Sequence, residues 1–293
     1  MDITSPPATF IERLAALAQR TRLGTACFHA RHAHGIKSLQ VEQPSLAVVL
    51  RGSKQVRAAQ CQALLAPGDM LVLAPGARLD VAHRPGPGGA GYLALGLPLC
   101  AQVLSAARSL WPQPLQPGAA VACLPGHVLQ ADLHALAQAM HSGDELQARM
   151  AVLALLMQAA RHGTASVLLP PAPSLAAQLR QLVAQAPARA WQSMDFEQAL
   201  GISGATLRRR LAQEGTGLRE EMAQARLACA LDLLYTTRLP VKTVAARVGY
   251  RSAESFSRRF RQRYGLEPSA IGNGTDSNAT EGHAPDSPAR MNA

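Results

Sequence analysis

The spacing of apolar residues divides the chain into a β-rich part and a helical part. Between residues 25 and 97 the Val/Leu-rich runs are short, and turn signals such as Pro67-Gly68-Asp69 separate them. Runs that recur at about ten-residue spacing with such punctuation predict a small β-barrel or sandwich. After Leu97 the apolar residues recur at helical intervals, in segments near 99–110, 127–141 and 144–162. The clearest strand-like runs are Leu46–Leu50, Leu64–Leu65, Met70–Leu73 and Tyr92–Leu97.

Proline-rich and polar stretches mark the ends of these parts. Residues 8–22 show helical spacing before the first predicted strand. Residues 164–174 contain three prolines and are predicted to form an interdomain linker. Helices are predicted from there to about residue 271. The polar segment 272–293 has no apolar pattern and is predicted to be disordered.

A pair of helices joined by a glycine turn is predicted near the end of the helical part. Pro240 pre-sets the first turn of a helix that has a valine-rich apolar face. Gly249 suits a sharp left-handed turn, and Ser252 can cap the next helix. Phe256 and Phe260 then face inwards, while the free side of the helix is polar and basic. This is the pattern of a helix-turn-helix.

The same pattern occurs earlier in the helical part. Ser193 is predicted to cap a short helix, and Gly201 begins a turn that ends at a second cap, Ser203. Leu207 and Leu211 are predicted to face inwards on the helix that follows.

An uninterrupted helix is predicted between the two pairs, because Leu218–Tyr235 contains neither Gly nor Pro. Its length is roughly 24–27 Å at 1.5 Å per residue. With a helix pair at each end, this is comparable with the ~34 Å of one turn of B-DNA. The two second helices, called here the recognition helices, could therefore enter successive major grooves.

Positive charge is concentrated in the same region. The formal net charge of the chain is +10, and residues 174–263 hold 15 basic and 7 acidic side chains. All but one of those basic residues are arginines, whose forked guanidinium suits phosphates and guanines. The charge predicts an anionic partner, although a solvated helical surface would look similar.

Several motifs carry a resemblance to a known family. The second helix pair contains Ala245-Ala246-Arg247-Val248-Gly249-Tyr250 and Ser255-Phe256-Ser257-Arg258, and the first contains Leu207-Arg208-Arg209-Arg210-Leu211. With these motifs, residues 193–271 resemble the DNA-binding domain of the AraC/XylS family of bacterial transcription regulators. Residues 44–54 and Pro67-Gly68-Asp69-Met70 resemble strands of the N-terminal domain associated with that family.

The resemblance implies an α+β fold. A cupin-like β-barrel with flanking helices is expected first, followed by an all-α domain with two helix-turn-helix motifs joined by a long helix. The expected parts are an N-terminal helix or arm (1–24), an effector-binding and dimerisation domain (25–163), the linker (164–174), the DNA-binding domain (175–271) and the tail (272–293).

The function implied is that of a sequence-specific transcription regulator, expected to be an activator. Its implied partners are double-stranded promoter DNA, RNA polymerase, a small effector and a second copy of the chain. No enzymatic activity, cofactor or metal is expected. The residues do not reveal the effector, the target sequence or the sign of regulation.

The resemblance also implies roles for individual residues. Base edges are expected to be contacted from the exposed side of each recognition helix, where arginine can pair with guanine, glutamate with cytosine, and alanine with a thymine methyl. The matched positions are Ala205, Arg208, Arg209, Ala253, Glu254, Ser257 and Arg258. Contacts to the DNA backbone, which carry no sequence information, are expected from Ser203, Arg210, Lys242, Arg251, Ser252, Arg259, Arg261 and Arg263. Alternatively, some of the arginines only hold phosphates or neighbouring carboxylates.

Two further sets of residues have two open interpretations each. An effector pocket inside the barrel is expected at Val48, Leu50, Leu71, Leu73, Tyr92 and Leu95, although such side chains more often form a plain core. A coiled-coil-like stripe on a predicted helix indicates either a dimer interface or packing against the barrel. It comprises Leu146, Met150, Leu153 and Met157.

Two other functions compete with the regulator. The first is a metal-dependent cupin enzyme fused to a DNA-binding domain, since His29, His32 and His34 lie close together in the sequence. If residues 32–34 lie on one strand, His32 and His34 share a face. The ligand set is incomplete, because Ser38 and Leu39 stand where the cupin pattern expects a glutamate. The second is a non-specific architectural DNA-binding protein, against which two defined recognition helices argue.

Composition adds the expected location. The five cysteines form no CxxC pair, which suits a reducing compartment. No run of about 18 uncharged apolar residues is present, and the first residues lack the pattern of a secretion signal. A cytoplasmic, nucleoid-associated protein without membrane contact is therefore expected.

Overall fold

A computed structural model describes residues 7–18, 26–89, 91–170 and 174–271. The described strands all lie in the N-terminal part: β1 (Ala26–Ala30), β2 (His34–Gln40), β3 (Ser45–Arg51), β4 (Ser53–Ala58), β5 (Cys61–Leu65), β6 (Met70–Leu73), β7 (Arg78–Arg84), β8 (Tyr92–Pro98) and β9 (Val121–Leu124). The described α-helices are α1 (Pro7–Ala18), α2 (Ala101–Leu110), α3 (Gln130–Ser142), α4 (Glu145–Ala159), α5 (Leu175–Gln185), α6 (Ser193–Leu200), α7 (Gly204–Gln213), α8 (Leu218–Thr236), α9 (Val241–Arg247), α10 (Ala253–Tyr264) and α11 (Pro268–Ile271). The α+β prediction is confirmed.

The strands form two antiparallel sheets with the orders β1-β8-β3-β6-β9 and β2-β7-β4-β5. One face of the five-stranded sheet packs against α1, α2, α3 and α4, where Leu14 and Leu155 are buried. The other face packs against the four-stranded sheet, where Val56 and Val81 are buried. Two apolar layers therefore cover the five-stranded sheet, one inside the barrel and one beneath the helices.

The expected effector-pocket residues lie on both faces of this sheet. Leu71, Leu73 and Tyr92 belong to the layer inside the barrel. The other three, Val48, Leu50 and Leu95, belong to the layer beneath the helices. The cause is the strand register: Val48 lies opposite Met70, not opposite Leu71, so Val48 and Leu71 point to opposite faces. The expectation of one pocket lined by all six residues is therefore wrong.

Five of the described strands (β1, β2, β4, β7 and β9) were not predicted from the apolar runs, and β7 and β9 show why. Residues Arg78–Arg84 alternate between polar and apolar, and in β7 the side chains of Leu79, Val81 and His83 are buried. Such alternation is typical of an antiparallel strand with one solvated face. The other strand, β9, lies between two predicted helices and pairs with β6.

The helices around the barrel confirm the predicted helical segments, with two changes at their ends. Leu14 of α1 is buried in the layer beneath the helices, so this helix packs on the outside of the barrel rather than forming a separate arm. A π-helical turn (Ala160–Thr164) and a 3-10 turn (Ala165–Leu168) continue beyond α4, and Val167 and Leu168 are buried in the same layer. The first part of the expected linker is therefore packed. Residues 171–173, the expected tail 272–293 and residues 1–6 and 19–25 lie outside the described residues.

The apolar stripe on α4 is divided between solvent and the barrel core. The exposed fractions of Leu146 and Met150 are 68% and 61%. Leu153 and Met157 are partly buried against the layer beneath the helices. The exposed half of the stripe suits the dimer interpretation and the other half suits internal packing, so both stay predictions.

Candidate nucleic-acid interface

The second helix pair, α9 and α10, has the predicted turn and cap. Gly249 adopts the left-handed conformation, with φ +82°. The hydroxyl of Ser252 accepts a hydrogen bond of 3.1 Å from the backbone N–H of Ser255 and so caps α10. Phe256 and Phe260 are buried, with ring centroids 5.5 Å apart. The sequence therefore fixes α10 at its N-terminus and along its inner face.

The first helix pair, α6 and α7, has the same design with one difference. Gly201 is left-handed, with φ +64°, and the side chain of Ser203 caps α7. The expected cap at Ser193 is wrong, because α6 begins one residue earlier than that role requires. Gln192 is the cap residue, and its backbone N–H donates a 2.7 Å hydrogen bond to the carboxylate of Asp195. This contact is the half of a capping box in which the N3 carboxylate accepts from the N-cap backbone.

The predicted connecting helix is confirmed as α8. A buried carboxylate, Glu221, lies on this helix with an exposed fraction of 3%. Glu221 pairs with Arg180 of α5 and accepts a hydrogen bond of 2.5 Å from the hydroxyl of Thr216. Arg180 also lies 2.8 Å, from Nε to Oε1, from Glu42 of the loop before β3. These partners, none of which the sequence pattern indicated, fix α8 against α5.

The base-contacting residues expected on the two recognition helices lie at the surface. Within the described part of the chain, no ion pair or hydrogen bond holds the guanidinium groups of Arg208, Arg209 or Arg258, all of which are exposed. Glu254 and Ala205 are exposed as well, and Ala253 and Ser257 are half-buried. Each recognition helix therefore presents unpaired arginine to solvent.

The residues expected to contact the DNA backbone fall into two groups. Arg210, Lys242, Arg251 and Arg259 are exposed. The others have partners within the chain: Ser203 and Ser252 cap their helices, Arg261 pairs with Glu267 at 2.7 Å, and Arg263 donates a 3.0 Å hydrogen bond to the carbonyl oxygen of Ser38.

The expectation that Arg263 contacts the DNA backbone is therefore wrong. It lies near the C-terminal end of α10, and its contact with Ser38 turns it towards the barrel. The difference arises because α10 packs on β2, a long-range contact that the sequence does not indicate.

The three neighbouring histidines do not share one strand. His29 lies on β1, His32 lies in the bend after that strand, and His34 begins β2. The ring of His34 instead lies near that of His83, with centroids 5.1 Å apart. Among the described residues, no group of three or more His, Cys, Asp or Glu side chains is placed to hold a metal ion. No described helix is long and apolar enough to cross a membrane.

Charged and phenolic side chains lie inside the barrel. Burial raises the pKa of the Tyr92 hydroxyl, which has no hydrogen-bond partner in the described structure. Burial lowers the pKa of Lys54 to about 8. The pKa of His83 is well below its usual value because of burial, with smaller effects from Lys54 and His34. The barrel interior therefore has a polar end, whereas the sequence predicted only apolar residues and Tyr92 there.

Sequence comparison identifies the helical domain. Residues 197–273 match the model of a helix-turn-helix domain family, over about a quarter of the chain. A helix-turn-helix transcriptional regulator of Mycobacterium tuberculosis is 43% identical over 75 residues, which cover 26% of this chain and 22% of that protein. The urease operon transcriptional activator of Escherichia coli is 31% identical over 91 residues, 31% of each chain. The aligned residues thus span between about a fifth and a third of these curated relatives.

Solved structures resemble the whole architecture. ToxT of Vibrio cholerae with a bound unsaturated fatty acid has a TM-score of 0.60 at 12% identity. The alignment covers 84% of this chain and 92% of ToxT. At this identity the likeness establishes the fold alone, which is a barrel followed by a double helix-turn-helix domain.

Proposed function

We propose that this chain, whose C-terminal part is a helix-turn-helix domain of the AraC/XylS type, is a sequence-specific transcription regulator. Its recognition helices α7 and α10 enter successive major grooves of promoter DNA. The observation that carries the proposal is the set of exposed arginines without intramolecular partners on both helices. Unpaired arginine on a capped helix is the arrangement that pairs with guanine in a major groove.

Specificity is assigned to the outer faces of the two helices. On α7, Arg208 and Arg209 contact guanine, and the methyl group of Ala205 meets a thymine methyl. On α10, Arg258 has the same role as those arginines, and Glu254 accepts a hydrogen bond from cytosine. The ion pair between Arg180 and Glu221 holds α8 against α5. The end of α8 that lies next to α7 is therefore held rigidly.

Affinity is assigned to the flanking cations. Arg210, Lys242, Arg251 and Arg259 are exposed beside the recognition helices. Each phosphate contact releases counterions, so binding is expected to weaken steeply as the salt concentration rises.

The barrel is proposed to bind a small effector in its interior. Leu71, Leu73 and Tyr92 supply the apolar wall there, and Lys54 lies at the polar end. The fatty acid bound by ToxT, a protein of the same fold, supports an amphipathic effector. The exposed residues Leu146 and Met150 of α4 are proposed to pair two copies of the chain.

Activation through RNA polymerase in the cytoplasm completes the proposal. It is supported by the relative named a transcriptional activator. A similar regulator could also repress, and a promoter-fusion assay distinguishes the two signs.

A binding titration on DNA selected by the protein tests the proposal. Arg208→Ala is expected to weaken binding by about 1–3 kcal/mol and to relax sequence preference at one base pair. Arg210→Ala is expected to weaken all sequences equally and to lower the salt dependence by about one phosphate contact.

Arg84→Ala is the matched control, because this exposed arginine lies on β7 of the barrel and donates a 3.1 Å hydrogen bond to Gln55. It removes the same charge outside the proposed interface and should leave binding unchanged. Equal losses for the three variants would contradict the assignment. A ratio of specific to non-specific affinity near one would instead indicate an architectural DNA-binding protein.

A further inference from the structure

A tyrosine of the DNA-binding domain is inserted into the barrel. Tyr235 lies in the last turn of α8, and its exposed fraction is 5%. Its ring lies edge-on to Phe28 of β1, with centroids 5.9 Å apart. The rings of His34 and His83 are 5.7 Å and 5.4 Å from it. Tyr235 is therefore surrounded by side chains of the other domain.

The hydroxyl of Tyr235 joins two histidines of the four-stranded sheet. It lies 2.7 Å from Nε2 of His34 and 3.2 Å from Nδ1 of His83. Nδ1 of His34 lies 2.9 Å from the carbonyl oxygen of His32, so Nδ1 carries the proton that donates to that oxygen. Nε2 of neutral His34 is then an acceptor for the Tyr235 hydroxyl, and Nδ1–H of His83 donates to the Tyr235 oxygen. One hydroxyl thus satisfies two imidazoles.

This junction is specific to the second helix-turn-helix unit, defined here as α9 and α10 with the second half of α8. The buried residues of that unit form one continuous cluster with the interior of the barrel. The first unit, α6 and α7 with α5, has a separate core around Phe196 and Leu207. Arg263 of α10 adds a hydrogen bond to Ser38 of β2. The two units are therefore attached to the barrel in different ways.

We propose that Tyr235, His34 and His83 form an interdomain latch that docks the second helix-turn-helix unit on the barrel. Opening the latch frees α10 from the barrel, so the barrel controls the position of the second recognition helix. Tyr235 also fills the polar end of the barrel interior, which makes a ligand at this end a competitor of docking. The latch is a property of the free chain and does not depend on DNA binding.

The surroundings explain why a tyrosine is required here. Burial disfavours an unpaired polar group, and His83 is almost fully buried, with an exposed fraction of 4%. The neighbouring polar groups are Lys54 and the hydroxyl of Tyr92. Without the Tyr235 hydroxyl, both His34 and His83 would face an apolar ring in the docked state. The undocked state, in which water satisfies them, would then be relatively favoured.

Single-molecule energy transfer measures docking directly. One dye is attached at Gln62→Cys on β5 and the other at Gln262→Cys on α10, both exposed positions, after the native cysteines are replaced. Tyr235→Phe keeps the ring and removes the hydroxyl. Its ratio of undocked to docked molecules is expected to rise about 10- to 100-fold, because the buried imidazole of His83 and the half-buried imidazole of His34 lose their partner.

Tyr264→Phe is the matched control. Tyr264 is a buried tyrosine of α10, and its hydroxyl makes no hydrogen bond within the described residues. It should leave the ratio unchanged. An unchanged ratio in Tyr235→Phe, or an equal rise in both variants, would overturn the latch.

A second pair of variants keeps the test valid if Tyr235→Phe folds poorly. His34→Gln retains an acceptor for the Tyr235 hydroxyl and should keep docking close to the wild-type level. His34→Leu removes the acceptor and should raise the undocked fraction about tenfold. Because both changes act through the same hydroxyl, His34→Leu should add little in the Tyr235→Phe background. Equal docking in His34→Gln and His34→Leu would contradict the proposal.

Discussion

Two turn glycines occupy equivalent positions in the two helix pairs but have different surroundings. Gly201 and Gly249 both adopt left-handed conformations, with φ +64° and +82°. A Cβ atom at residue 201 would meet nothing within 4 Å in the described structure. A Cβ atom at residue 249 would lie 2.8 Å from the carbonyl oxygen of Pro187 and 3.2 Å from Cα of Ala188. Replacing each glycine by alanine therefore separates backbone strain from a steric clash.

The magnitudes follow from these distances. Gly201→Ala places a Cβ in the left-handed region, which costs about 1–2 kcal/mol. Gly249→Ala has the same cost and also forces apart backbone atoms that cannot rotate away. Overpacking of this kind costs about 1–3 kcal/mol more. The oxygen of Pro187 also accepts a 3.0 Å hydrogen bond from Nε of Arg226, so a shift would disturb the contact between the α5–α6 loop and α8.

Urea unfolding followed by tryptophan fluorescence measures both variants. The chain has two tryptophans, and Trp111→Phe leaves Trp191 as the reporter. Trp191 stacks on Phe196 with centroids 5.0 Å apart and lines the same surface groove as Gly249. We expect Gly249→Ala to lose about 1–3 kcal/mol more of the unfolding free energy than Gly201→Ala. Equal losses would refute the steric argument and would imply that the Pro187 loop moves freely.

Three other changes test the framework around the site. Glu221→Ala should lower the unfolding free energy by less than the about 3–5 kcal/mol that an unpaired buried charge costs, because Arg180 keeps Glu42 as a partner; the exposed pair Arg149–Glu145 should contribute below about 1 kcal/mol. Ser252→Ala should cost about 1 kcal/mol by removing the cap of α10, with helicity monitored by circular dichroism. Acidification should destabilise the folded chain. Burial lowers the pKa of His83, so the unfolded chain binds more protons than the folded chain below pH 6.5. The stability that neutral His83 contributes is therefore complete above pH 6.5 and is lost as the pH falls. The unfolding free energy should change with pH by up to about 1.4 kcal/mol per pH unit because of this residue. A His83→Gln variant with the same pH dependence of the unfolding free energy as wild type would contradict that attribution.

The sequence was sufficient for the helices that carry the proposed function. The glycine turns, the serine caps of α7 and α10 and the paired phenylalanines are local signals, and the structure contains them as predicted. Continuous apolar runs likewise marked β3, β6 and β8. Local patterns succeed here because each depends on residues within one or two turns of the chain.

The features that the sequence did not reveal depend on distant partners. Val48 and Leu71 both lie in apolar runs of the sequence. Only the strand register shows that their side chains point to opposite faces of the sheet. Arg263 looks like a DNA contact until α10 packs against Ser38. Tyr235 and His34 are 201 residues apart, so nothing in either segment indicates their hydrogen bond. A charged residue on an apolar helix face, as at Glu221, is the one signal that could have suggested a buried partner.

Guanine-N7 methylation interference on DNA selected by the full-length protein tests the central claim most directly, because N7 lies in the major groove. Two clusters of interfering guanines are expected on one face of the duplex, centred about 10 base pairs apart. Arg208→Ala should abolish interference within one cluster, and Arg258→Ala should abolish it within the other. A single cluster, or interference that neither substitution changes, would contradict two recognition helices in successive major grooves.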